Sequence, residues 1–243
     1  MGPELADLEF QTSSIDLLGG LATTRAIRRY KDEPIPERDL RDILFAATRG
    51  PSGSNRQTFR FIVLTDSKIA TQVKKLVGEA AQKLWAEKRK NDAYDQGSGA
   101  QSNSPKARLA RTMQSYVDNL EKVPVLIFPC FVRYRASTLS EGASLYPAVQ
   151  NLLLAARGLG YGGVITGFNA GIDDELKALL AIPENVFIGA TLTLGKPVGN
   201  HGPVRRRPMK ELVYSDFWEN APDWAIDPPG TQYTKAGPPK KSV

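Results

Sequence analysis

The sequence predicts a domain of the α+β class. Short runs rich in β-branched and aromatic residues, at 59–65, 123–132 and 186–194, read as strands, and the segments between them repeat apolar residues at helical spacing. No Pro-, Gly- or Ser-rich linker divides the 243 residues into two self-sufficient hydrophobic halves, so one core is expected. With 41% hydrophobic and 24% charged residues, the chain has the apolar surface to build it.

Residues 1–14 form a polar N-terminal extension without a repeating pattern. Ile15 to Leu21 reads as a short apolar helix weakened in its middle by Gly19-Gly20. Pro36 stands at a first helical position, and Leu40, Ile43, Leu44 and Ala47 recur on one helix face until Gly50-Pro51 stops it. Phe59 to Thr65 is a strand, and Ser67 is an N-cap for a helix carrying Ile69, Val73, Leu76 and Val77. Between Trp85 and Asn119 the chain turns polar. Gln96 to Pro105 has too little apolar surface to offset the entropy of ordering it, which predicts a mobile insertion between two helices.

Val123 to Val132 is the most apolar run and reads as a buried strand, in which Pro129 indicates an edge position or a bulge. Ser144 to Leu159 is apolar nearly all round, Gln150-Asn151 excepted, which implies burial within the fold or at a subunit interface. Gly158 to Gly163 breaks that helix, and Val164 to Phe168 runs extended. Asp173 to Leu180 forms a short helix before the strand Val186 to Leu194. The tail beyond Gly195 ends in a Pro/Lys-rich segment expected to be loosely held.

Composition narrows the function classes. The net charge of +6 and pI near 9.4 permit a nucleic-acid partner, but Lys and Arg are scattered rather than gathered on one helix face with interleaved aromatics. A small anionic ligand uses such charge equally well. The one cysteine, Cys130, rules out an intrachain disulfide and fits a reducing compartment. The one histidine, His201, leaves metal chemistry poorly supplied. No apolar run approaches the roughly 20 residues that span a bilayer, so a soluble, cytoplasmic protein is expected.

Three motifs carry chemistry. Arg25 and Arg28 share one helix face or one turn edge, where guanidinium groups form bidentate bonds to phosphate, and Arg205-Arg206-Arg207 is a second source. Either cluster alone also reads as a solvated charge run; flanking glycine- and amide-rich turns, the two favour one shared phosphate site. In Pro51 to Gln57, the side chains of Ser52, Asn55 and Gln57 match donor and acceptor edges of a heterocycle, and Gly53 permits close backbone approach. The alternative is a polar loop following a helix. Gly160 to Phe168 follows a helix and lacks the downstream acid of a dinucleotide fingerprint, so a Rossmann reading is weak; Gly167 instead offers a backbone amide at a strand end. No acid/base pair, activated nucleophile or metal set accompanies these motifs.

Arg-Ala-Ile-Arg-Arg-Tyr-Lys-Asp-Glu-Pro-Ile-Pro (25–36) and Ala-Ala-Thr-Arg-Gly-Pro-Ser-Gly-Ser-Asn-Arg-Gln-Thr-Phe-Arg-Phe (46–61) are followed by Gln-Asn-Leu-Leu-Leu-Ala-Ala-Arg-Gly-Leu-Gly-Tyr-Gly-Gly (150–163) and Leu-Gly-Lys-Pro-Val-Gly (194–199). In this order the four segments resemble the FMN-dependent nitroreductase family over roughly residues 15–215. The resemblance implies a nitroreductase-like fold with a central mixed sheet flanked by helices, an intertwined homodimer with FMN at its interface, and a C-terminal tail from 216. Arg25 and Arg28 match the residues that hold the FMN phosphate and ribityl chain, with Ala26 where the family usually has serine. Pro51, Ser52, Gly53, Asn55 and Gln57 lie in the turn that contacts the flavin of the neighbouring subunit, with Thr58-Phe59 replacing the commoner Pro-Trp. Thr166 and Gly167 stand beside the ring, the Gly167 amide near N5. Arg206, two before Pro208, matches the tail's phosphate-binding position with Arg205 next to it, and Val204 replaces a second basic residue.

That resemblance also implies two-electron, ping-pong hydride transfer from NAD(P)H to nitroaromatic or quinone-like acceptors, the cofactor carrying the chemistry. A lid insertion, 88–118, sets substrate choice. Its Lys106, Arg108 and Arg111 favour NADPH, or are simply a solvated helix face. The alternatives are a relative that performs reductive dehalogenation or flavin cleavage, a non-catalytic FMN-binding or storage protein, and, third, a nucleic-acid binder.

Overall fold

The sheet is organised by its most apolar strand. The computed structural model describes residues 11–138 and 140–236; the first ten residues of the N-terminal extension and the end of the tail lie outside them. Val125–Val132 forms β2, which pairs with β1 (Phe59–Leu64) on one side and, on the other, with β5 (Thr191–Gly195) and β4 (Val186–Ile188) in succession. β3 (Gly162–Thr166) completes the order β1-β2-β5-β3 at the far edge. Every pairing between these strands is antiparallel, where a mixed sheet was expected.

Helices cover both faces. On one lie α3 (Lys68–Asn91), α4 (Pro105–Asp118) and α6 (Asp173–Leu180); on the other α2 (Glu37–Thr48) and α5 (Tyr146–Gly158), with α1 (Leu17–Thr23) against α5. β2 shows why its sequence does not alternate. Leu126, Phe128 and Cys130 point into one core cluster and Val125 and Ile127 into the other, so a strand covered on both faces is apolar at every position.

Pro129 occupies a central strand, not an edge. Cys130 pairs with Ile188 but Ile127 with Leu192, so one extra residue lies on the facing side between the two registers. That bulge, at Gly189-Ala190, splits the single strand expected over 186–194, and the Pro129 carbonyl accepts from Gly189 N at 2.8 Å. The α2–α5 contact depends on Gly50: a Cβ there would stand 2.7 Å from both the backbone N and Cα of Ala148.

The insertion is built rather than loose. α3 continues to Asn91, stopped by a basic last turn in which Lys88 pairs with Asp92 at 2.6 Å, and a 3-10 turn at Gly97–Ala100 leads into α4, capped by the Ser104 hydroxyl. Trp85 Nε1 and Arg89 both donate to Gln114 Oε1 at 3.0 Å, and Arg89 grips Asp95. These polar bonds add to the burial of Trp85, Ala110, Tyr116 and Val117 in the core, with Tyr94 and Met113 packed against it. The described tail is held too, Thr234 N donating to the Arg206 carbonyl at 3.0 Å. No helix among the described residues is long and apolar enough to cross a membrane.

Cys130 is a core thiol. Burial pushes it up from 9.0 to about 11, so it stays neutral and unreactive at neutral pH. A disulfide-exchange reagent is expected to leave it untouched in the native protein and to label it fully in denaturant. Because the folded value is raised, its contribution to stability is present below 9.0 and is lost as pH climbs towards 11. Rapid native labelling would contradict this placement.

Candidate functional site

The two basic clusters, almost 180 residues apart in the chain, meet in one cavity. After α1 the chain does not continue as a helix: Thr24 is extended, and Ile27 N donates to the Gly163 carbonyl at 3.0 Å, laying residues 25–28 along the free edge of β3. Gly162 permits that approach, since a Cβ would stand 2.5 Å from Ile27 Cγ1. From the other end of the sequence, Val204 N donates to the Ala22 carbonyl at 2.9 Å and brings the arginine run alongside. Arg25, Ala26, Arg28, Arg205 and Arg206 thereby line a cavity of 460 Å³, with Val204 and Gln232 in its wall.

The arginines in this cavity are not equivalent. Arg205 Nε donates to Gln232 Oε1 at 3.0 Å and Arg206 to the Arg205 carbonyl at 3.0 Å, and among the described residues no carboxylate pairs with either. Arg207 is bound to Glu211 at 2.6 Å and does not line this cavity. Arg28 is half-buried, and its Nε is enclosed without an acceptor. Burial lowers its pKa, while the nearby Tyr116 and Tyr30 phenols act in the opposite direction. A guanidinium remains charged under these conditions, so the cavity wall holds a desolvated, unpartnered cation.

Beneath Arg28 the floor is rigid. Tyr116 of α4 and Tyr30 both bond Thr193 Oγ1 on β5, at 2.7 and 2.8 Å. Burial pushes the Tyr116 phenol up to about 12, keeping it neutral.

Thr166 and Gly167 stand at the end of β3, beside a second 460 Å³ cavity bounded by Trp85, Lys88, Met113, Gly167 and Phe168. Thr166 Oγ1 is engaged with the Thr191 carbonyl at 3.1 Å. Gly167 is exposed, and no atom lies within 4 Å of the position a Cβ would take. The turn with Pro51, Ser52, Gly53, Asn55 and Gln57 lines neither cavity. It is solvent-facing and tightly wound, Ser52 Oγ accepting from Gln57 N at 2.9 Å and Gly53 N donating to Ser144 Oγ at 3.0 Å.

A model of the nitroreductase family matches residues 21–196. The chain belongs to the nitroreductase family. Relatives of this nitroreductase-family chain include an NADH dehydrogenase of Thermus thermophilus, 27% identical over 209 residues, covering 78% of this chain and 90% of that one. An FMN reductase [NAD(P)H] of Bacillus subtilis is 24% identical, covering 84% of this chain and 75% of that one. Among solved structures, nitroreductase A from Vibrio parahaemolyticus superposes with a TM-score of 0.60 at 21% identity, over 83% of this chain and 75% of that one. A Desulfovibrio desulfuricans nitroreductase structure in complex with FMN gives 0.59 at 24% identity, over 85% and 99%. These likenesses show the fold.

Sequence reasoning missed two parts of this nitroreductase-family site. Gln232, which orients Arg205, lies in a tail without periodicity, and no local signal marks it. The Tyr30–Thr193–Tyr116 network joins three distant segments, and no local pattern in the sequence marks it. Lys106, Arg108 and Arg111 are engaged locally, donating to the carbonyls of Asp92, Asn103 and Ser102 at 2.9, 2.9 and 2.7 Å.

Proposed function

We propose that this chain is an FMN-dependent oxidoreductase that passes two electrons from NAD(P)H to nitroaromatic or quinone-like acceptors, working as a cytoplasmic homodimer. The observation that carries this reading is the unpartnered Arg28 guanidinium beside Arg25, Arg205 and Arg206 in one cavity. That donor set fits a phosphomonoester and the polar edge of a flavin, since an enclosed cation calls for an anion to satisfy it. When bound, FMN supplies hydride acceptance and donation at N5.

The chain's own residues bind and orient. Arg25, Arg205 and Arg206 would hold the phosphate, and Arg28 would offer positive charge to the polar edge of the flavin. Gly167 leaves the ring edge clear of side-chain atoms. Trp85, Met113 and Phe168 offer apolar and aromatic surface to a flat acceptor, and their cavity opens beside Gly167. A homodimer is supported by an apolar groove of 510 Å³ that Leu17, Phe45, Leu154 and Leu159 line between α1, α2 and α5. Leu17 and Leu18 are 69% and 75% exposed in the single chain. Preference for NADPH rests on the free N–H groups left to Lys106, Arg108 and Arg111, and equal catalytic efficiency with NADH would remove it.

An anaerobic visible spectrum tests the flavin-dependent electron transfer. The flavin band is expected to bleach on adding NADPH and to return with a quinone or nitroaromatic. Protein that neither carries FMN nor takes it up would overturn the proposal; bound flavin that no nicotinamide reduces would leave a storage protein.

A further inference from the structure

Arg28 borders two cavities, and only one is the phosphate cavity described above. The other, of 220 Å³, is lined by Arg28, Arg29, Lys31, Ser115, Asn119 and Lys122, with Asp32 as its carboxylate and Tyr30 and Tyr116 at its floor. Four cations thus face one acid. Lys31 is loosely paired with Glu33 at 3.7 Å; Arg28, Arg29 and Lys122 have no ion-pair partner among the described residues. For the exposed Arg29 and Lys122 that is ordinary hydration. It is not ordinary for Arg28, whose Nε is shut off from water and meets no acceptor.

The walls are pre-organised. Tyr30 and Tyr116, joined through Thr193 Oγ1, tie the floor to β5, and Asn119 Nδ2 donates to the Ser115 carbonyl at 2.9 Å, fixing the end of α4 that forms one side. The donors converge from the segment after α1 and from the lid helix with its following turn. A tetrahedral phosphoryl group accepts from several directions at once, whereas a planar carboxylate suits a single fork. The volume lies below the roughly 300–1,000 Å³ of sites that enclose a whole drug-sized ligand, so it admits a group and leaves attached rings outside.

We propose that this second cavity is a phosphoryl subsite separate from the FMN phosphate cavity, and that it takes the diphosphate bridge of the reduced nicotinamide dinucleotide. The dinucleotide assignment rests on the reading above that NAD(P)H is the electron donor. Arg28 then serves two anions, one on either side, and the lid helix that carries Ser115 and Tyr116 meets the donor substrate at its charged middle.

The test uses FMN-loaded protein, with inorganic pyrophosphate as the calorimetric probe and NADPH and reduced nicotinamide riboside as substrates. Pyrophosphate is expected to bind with flavin in place. The double variant Arg29→Ala/Lys122→Ala, two exposed positions outside the FMN cavity, should weaken that binding about tenfold or more, the loss of one charge-assisted hydrogen bond. It should raise KM for NADPH by a similar factor and leave KM for the riboside, which carries no phosphate, and flavin occupancy unchanged. Pyrophosphate that binds only flavin-free protein, or binds the variant as well as the parent, overturns the subsite. Variant-sensitive pyrophosphate binding with unchanged KM for NADPH overturns the dinucleotide assignment and points to a free phosphoryl ligand. If neither NADPH nor NADH is oxidised, the reading of function fails while the pyrophosphate titration still judges the cavity.

Discussion

Replacing Arg25 and Arg206 together with alanine is expected to strip the protein of FMN while leaving it folded. Both guanidiniums reach the 460 Å³ cavity from separate ends of the chain, and neither has a carboxylate partner among the described residues. A hydrogen bond to a charged group contributes about 1.5–3 kcal/mol, so each single variant should weaken FMN roughly 10- to 100-fold. Arg25 is exposed and makes no hydrogen bond among the described residues, and the Arg206 guanidinium bonds only its neighbour's carbonyl, so the apoprotein's melting temperature should hardly move. Arg207→Ala is the control: its charge is already matched by Glu211 and should matter little for flavin. Equilibrium dialysis with FMN measures all four proteins. Undiminished binding in both single variants would show that the phosphate lies elsewhere.

Much of the scaffold was readable because the signals were local. Ser67 caps α3 through its own hydroxyl, accepting from Ala70 N at 3.1 Å; Gly50-Pro51 stops α2; Asp173–Leu180 is a helix at its expected bounds. Each depends on residues within a turn of one another. What was not readable depends on partners far along the chain. Pro129 argued for an edge or a bulge, and which strand carries the extra residue depends on Gly189-Ala190, some 60 positions later. The same holds for the insertion, whose composition argued for mobility while Arg89, Gln114 and Asp95 assemble into a network that composition does not reveal.

The site divides along the same line. The arginines were found because charge type alone limits what they can bind, and two such clusters beside glycine- and amide-rich turns favoured one shared phosphate site. Gln232, the floor beneath Arg28 and the second basic cavity were hidden, because each exists only once α4, β5 and the tail have come together.

Mixing two defective proteins is expected to restore a site that neither has alone. The turn at 51–57 holds Ser54, Asn55 and Gln57 at φ of 52°, 50° and 49°, a left-handed region costing about 1–3 kcal/mol for each such residue. Yet the turn lines neither cavity of its own chain. Strain kept at an exposed position with no use in the same subunit is accounted for if the turn completes the flavin site of a symmetry-related copy. A chain carrying Arg25→Ala/Arg206→Ala then has a sound turn and a ruined phosphate cavity, and one carrying Ser52→Ala/Asn55→Ala has the reverse. Each homodimer should hold flavin poorly. In the mixed dimer one site inherits both defects and the other neither, so co-refolded mixtures should regain FMN in one site of each heterodimer. No recovery, with heterodimers demonstrated by differently tagged chains, would place the turn and the arginines in the same subunit's site or the turn outside it altogether.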